Sequence, residues 1–131
     1  MENIERHTNS KAMTIVGWVV SILPSLVLLM SGIMKFLPVT PEMDEGMQHV
    51  GWRAPQLPTL GIVEIAVVVI YLIPQTAVLG AILLAGYMGG TIATHLRVGD
   101  PFIVQALIGV LFWLGLWLRE PRLRDLLPIR K

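Results

Sequence analysis

The chain has 131 residues, 54% of them hydrophobic and only 15% charged, with a formal net charge of +1 and a mean hydropathy of +0.69. That balance lies far from the average of water-soluble domains and reads as an integral membrane protein. The lack of cysteine excludes thiol–disulfide relays and iron–sulfur ligation, which need paired or clustered thiols.

Four apolar runs follow one another along the chain, each about 17 to 25 residues long, the length a helix needs to cross a bilayer. They are continuous rather than alternating, which argues for helices and against barrel strands. The expected fold is all-α, a single four-transmembrane-helix bundle over residues 1–131. The first run is Ala12 to Phe36. Arg6 and Lys11 precede it as in a signal peptide, but it exceeds an ordinary signal core and lacks an Ala-x-Ala cleavage pattern, so it reads as a span. Pro24 in its middle predicts a kink. Ser21, Ser25, Leu28, Ser31, Gly32 and Lys35 fall on one stripe of that helix.

Residues 37–56 read as an extracytoplasmic loop. The second helix, Leu57 to Ile73, contains Glu64 as its one acidic or basic side chain. A carboxylate at membrane depth costs roughly 2.5 to 3.5 kcal/mol unless it is paired, protonated or facing water. A tight Pro74-Gln75 turn leads to the third helix, Thr76 to Thr94, where Tyr87, Thr91, Thr94 and His95 share a face. Its many small residues predict that it is the central packing element, and Gly86-x-x-x-Gly90 fits packing within one chain or a homo-oligomer equally well. A polar turn from His95 to Asp100 precedes the fourth helix, Pro101 to Leu118, with Asp100 before Pro101 expected to cap it. Residues 119–131 form a basic tail.

Arg6, Lys11, Arg119, Arg122, Arg124, Arg130 and Lys131 fall on the side of the termini, against Lys35, Arg53 and Arg97 on the other. The positive-inside rule therefore places both termini in the cytoplasm. The basic tail reads as a topology anchor drawn to anionic headgroups, with no nucleic acid implied. Trp18, Trp113 and Trp117 lie toward the cytoplasmic ends and Trp52 toward the outer surface, as interfacial belts require. A bis-histidine haem is disfavoured, because His7 and His49 lie off the helices and only His95 is near one. No metal site is expected.

In this topology Lys35, Glu64, His95, Arg97, Asp100 and Gln105 collect in one outer layer, and a polar pocket open to the outside follows. Each has a plainer reading beside it. Lys35 can snorkel to the interface, Glu64 can pair with Lys35 or Arg97 only to hold the bundle, His95 and Asp100 can cap helix ends, and Tyr87 and the threonines can be packing residues.

Ser31-Gly32-Ile33-Met34-Lys35-Phe36 resembles the Ser-Gly-x-x-Lys pattern of the DoxX-like family of small bacterial and archaeal membrane proteins. Gly61-Ile62-Val63-Glu64 is similar to its Gly-x-x-Glu. The stretch Gly86-Tyr87-Met88-Gly89-Gly90, running into Ala93-Thr94-His95-Leu96-Arg97-Val98-Gly99-Asp100-Pro101-Phe102, resembles the family's most recognisable segment. The resemblance implies a four-helix bundle in the cytoplasmic (inner) membrane, with Lys35, Glu64, His95, Arg97 and Asp100 as the positions of any shared role. Some relatives are named as subunits or partners of quinone-linked sulfur oxidoreductases.

Three functions are then open. In the first, the protein is an accessory subunit of a quinone-linked oxidoreductase. Glu64 and His95 do proton chemistry, and Lys35, Tyr87, Arg97, Asp100 and Gln105 hold the quinone head group. Electrons come from a redox partner subunit. The second is a small proton-coupled transporter, and the third a structural or assembly subunit without chemistry of its own.

Overall fold

The computed structural model describes residues 8–130; Arg6, His7 and Lys131 lie outside the described residues. Helix α1, Lys11–Met34, starts at Ser10, whose hydroxyl accepts from the Met13 N–H, and runs without interruption through Pro24. Helix α3 is Leu57–Leu72, α4 is Ala77–Arg97 and α5 is Ile103–Arg119. Prolines at the first positions start the 3-10 turns Ala54–Gln56, Pro74–Thr76 and Pro121–Asp125, where a missing N–H costs nothing.

Two expectations need correction. The segment 37–56 is not simply a loop: it contains helix α2, Pro41–His49, capped by Thr40, which accepts from the Met43 N–H, with Glu42 and Asp44 in its first turn. Asp100 does not cap the last helix. Phe102 occupies that position without a side-chain cap, and α4 continues to Arg97, so that His95 and Arg97 sit on a helix rather than in a turn.

The long helices close a ring in which α1 packs on α5 and α3, and α4 on α3 and α5. The most extensive packing is between α1 and α5, not on the glycine-rich α4 as the small residues suggest. Close approach depends on other glycines. A Cβ on Gly17 would lie 2.8 Å from the Arg119 nitrogen, and one on Gly61 would lie 2.8 Å from the Gly32 carbonyl oxygen. By contrast, a Cβ on Gly86, Gly89 or Gly90 would meet nothing within 4 Å.

Leu28, Val67, Val68, Tyr71, Leu84, Met88, Phe112 and Leu116 form the buried core. Tyr71 and Phe112 meet edge to face with ring centroids 4.9 Å apart. Outside this core the apolar side chains point away from the protein, as lipid-facing residues do; Leu23, Met30, Val104 and Ile103 are 60 to 66% exposed. Three helical stretches, Lys11–Met34, Ala54–Leu72 and Pro74–Arg97, are long and apolar enough to cross a membrane, and Ile103–Arg119 is a shorter apolar helix. The protein is a multi-pass membrane protein in contact with the lipid bilayer.

Candidate functional site

At the Lys35 end of the bundle, the four long helices and the α2 segment surround a cavity of about 450 Å³, within the usual span of small-molecule sites. Glu64 reaches it because α3 is anchored by Leu57, which is 1% exposed, and Glu64 lies two turns further along the same buried face. Lys35 caps α1 and folds back. Its Nζ donates to Glu64 Oε2 at 2.6 Å, to Ser31 Oγ at 2.8 Å and to the Ser31 carbonyl at 3.3 Å. Ser31 Oγ in turn donates to Glu64 Oε2 at 3.2 Å. The pair is enclosed, with side-chain exposures of 8% and 3%. Lys35, not Arg97, is therefore the partner of Glu64, and all three ammonium protons are engaged.

The opposite wall comes from α4 and α5. Tyr87 lines the cavity with Glu64. His95 Nδ1–H donates to the Thr91 carbonyl at 2.8 Å. A carbonyl only accepts, so the neutral ring carries its proton on Nδ1 and presents a lone pair at Nε2. Gln105 Nε2 donates toward that lone pair at 3.4 Å. Turning the amide over would set two lone pairs against each other, so Gln105 Oε1 points elsewhere. It is buried without a hydrogen-bond partner, one of two such side-chain atoms among the described residues. An unpaired buried acceptor costs about 1–3 kcal/mol.

Lys35, Glu64, Tyr87, His95 and Gln105 thus line one cavity, together with apolar Val27, Leu28, Leu60 and Ile108. Arg97 and Asp100 do not line it. Arg97 Nη2 donates to the Val50 carbonyl at 2.8 Å, and His49 Nε2 lies 2.9 Å from Asp100 Oδ2. Both contacts fasten the α2 segment over the cavity, which Met47, Val50 and Trp52 then roof. The close turn behind this arrangement needs Gly51, whose φ is +94°. Of these roof residues the sequence marks only Trp52, and that as an interfacial aromatic. The Thr40-Pro41-Glu42 start signal of α2 could have disclosed them.

A second polar cluster occupies the Arg119 end. The Tyr71 hydroxyl donates to the Phe112 carbonyl at 2.6 Å and lies 2.9 Å from Ser21 Oγ. Arg119 donates through Nε to Ser21 Oγ and through Nη2 to the Tyr71 carbonyl, both at 3.1 Å. Its guanidinium stacks 4.1 Å from the Trp18 ring centroid, a cation–π contact. Arg124 donates to Asn9 Oδ1, and Arg122 to Glu120 Oε1 at 2.8 Å. Arg122 holds the Glu120 carboxyl below its ordinary range by that hydrogen bond. Arg119, Arg122 and Arg124 are therefore committed to contacts within the chain. Between the two clusters, Leu28, Val67, Leu84 and Met88 pack in the apolar core.

An all-helical, multi-pass membrane protein with a lysine–glutamate pair closed inside a cavity at one end of the bundle is the class these features define. The chain belongs to the DoxX-like family, whose model matches residues 19–118. No curated protein and no solved structure matches it.

Proposed function

We propose that this protein is an accessory subunit of a quinone-linked membrane oxidoreductase system and that the cavity takes the quinone head group. In this reading α5 is the fourth span, both termini are cytoplasmic, and the cavity lies in the outer half of the inner membrane. The excess of Lys and Arg at the termini supports that orientation.

One observation carries the reading: the buried Lys35–Glu64 ion pair sits in the wall of a mostly apolar cavity together with the Tyr87 phenol and the His95 imidazole. Titratable groups at the edge of an apolar cavity suit a ligand with an apolar body and a ring that gains and loses protons, as a quinone does. The quinone takes two electrons from a redox partner subunit and two protons to become the quinol. Glu64 exchanges protons with it as general acid and base, and His95 does so through Nε2, the nitrogen not held by Thr91. Lys35 sets the charge of Glu64, and Tyr87 and Gln105 orient the head group. Arg97 and Asp100 act at one remove, by holding the roof.

The 2.6 Å Lys35–Glu64 contact ties α1 to α3, and this favours a second reading, in which the pair only specifies packing. Glu64→Gln separates the two, because an amide oxygen still accepts from Lys35. Loss of a general acid–base group costs about 10²- to 10⁴-fold. Because Lys35 stays charged in a buried site, the amount of protein in the membrane is expected to fall in part, and quinone-linked flux per molecule of membrane-inserted protein to fall about 10²-fold or more. Unchanged flux at normal protein level would defeat the functional reading, and disappearance of the protein from the membrane would favour the packing one.

A further inference from the structure

Two residues that line the cavity from α4, Gly86 and Gly90, are exposed, as is Val27 (55%) on α1, the helix diagonal to α4 in the ring. The remaining lining residues are buried or half-buried. The roof of Met47, Val50 and Trp52 lies instead at the Lys35 end, next to the loops. The cavity therefore meets the surroundings of the protein through a wall at membrane depth. Gly90 and Gly86 lie about 10 Å and about 16 Å from the Arg97 end of α4, at 1.5 Å per residue. That depth is in the hydrocarbon of the bilayer.

Glycine is what leaves this wall open. A Cβ built on Gly86 or Gly90 would meet no atom within 4 Å, so neither glycine serves helix packing, and neither has a positive φ that would demand glycine. In the interior of α4 each is a poorer helix former than alanine. Their smallness matters for the space beside them, which is continuous with the cavity.

Resting on the function proposed above, we infer that Gly86 and Gly90 form a lateral gate from the acyl-chain region of the bilayer. The ligand is an amphiphile with a hydroxyl- or carbonyl-bearing ring as head and a long apolar tail. Its head sits among Lys35, Glu64, Tyr87, His95 and Gln105, and its tail leaves the bundle past Gly86 and Gly90. This route lets an apolar molecule reach buried polar groups without crossing the aqueous roof. Gly89 supplies the internal control. It is exposed on the same helix and its Cβ would also meet nothing within 4 Å, but it does not line the cavity.

The test uses the full chain in nanodiscs and two probes, a benzoquinone with a decyl tail and the same ring without a tail, with association followed by quenching of tryptophan emission. The gate predicts that Gly86→Leu/Gly90→Leu slows association of the tailed probe at least tenfold and weakens its binding, with thermal stability not lowered. Gly89→Leu should behave as wild type. Equal effects of Gly89→Leu and the double variant would overturn the gate and indicate that this face docks another helix. Wild-type rates in the double variant would overturn it as well. If the wild-type protein takes up neither probe, the quinone reading itself fails and the gate with it, whereas saturable uptake insensitive to Gly86 and Gly90 removes the gate alone.

Discussion

Lys35→Ala is expected to be among the most damaging single substitutions in this protein. It leaves the Glu64 carboxylate enclosed with a side-chain exposure of 3% and without its cation. Removing one partner of a buried ion pair costs about 3–5 kcal/mol, chiefly because the other charge stays buried. Unfolding in mixed detergent micelles should register a loss of that size, and the amount of protein in the membrane should fall with it. Replacing both partners, as Lys35→Met with Glu64→Leu, should recover most of the stability, since apolar groups of similar volume replace a buried pair at little cost. The double variant should nonetheless be unable to support quinone-linked flux. If it restores both stability and flux, or if exchanging the two charged residues does so, the pair is only a fastener.

Gly80→Val should be comparably severe for a different reason. A Cβ on Gly80 would fall onto the Tyr71 backbone and come within 2.7 Å of the Tyr71 Cβ. Backbone cannot rotate away as a side chain can, so α3 and α4 have to separate. Tyr71 is fully buried and holds three elements together: its hydroxyl reaches Phe112 and Ser21, and its carbonyl accepts from Arg119. Overpacking a core typically costs about 1–3 kcal/mol, and the loss of these bonds adds to it. Unfolding measurements should therefore place Gly80→Val well below wild type, whereas Gly86→Val, on the open face of the same helix, should match it. Equal stability of the two variants would contradict the packing described for α3 and α4.

These expectations show which parts of the molecule the sequence discloses. The long helices follow from apolar runs, because a bilayer requires a minimum length and leaves backbone groups no partner but the helix itself. The buried layer at the Lys35 end was also legible, since a carboxylate in an apolar run must find a partner and Lys35 lies on the stripe that Ser21, Ser25 and Leu28 begin. Less visible were features that depend on which way a helix faces. Many small residues on α4 suggest central packing, yet Gly86, Gly89 and Gly90 meet nothing, while Gly17, Gly32, Gly61 and Gly115 on the other helices and Gly80 alone on α4 make the close approaches. Composition counts small residues without showing their direction. Helix α2 was hidden because hydropathy reads only apolar spans, and Pro41–His49 is polar. Arg97 and Asp100 were grouped with the pocket by their position along the chain, but their side chains turn to Val50 and His49 of a segment treated as a loop. The Arg119 cluster escaped notice because Tyr71 was read as part of an apolar run, although a hydroxyl buried in membrane needs a partner.

The cavity is central to all of this, and its occupant can be read directly. Native mass spectrometry of the protein, extracted gently from its own membrane and with lipid-soluble ligands identified after release, tests the claim with no assumption about the partner. The account predicts a stoichiometric tailed quinone or quinol on the wild-type chain, with occupancy reduced by Glu64→Gln and by filling Gly86 and Gly90. A chain that carries only phospholipid, with no quinone and no change on Glu64→Gln, would contradict it.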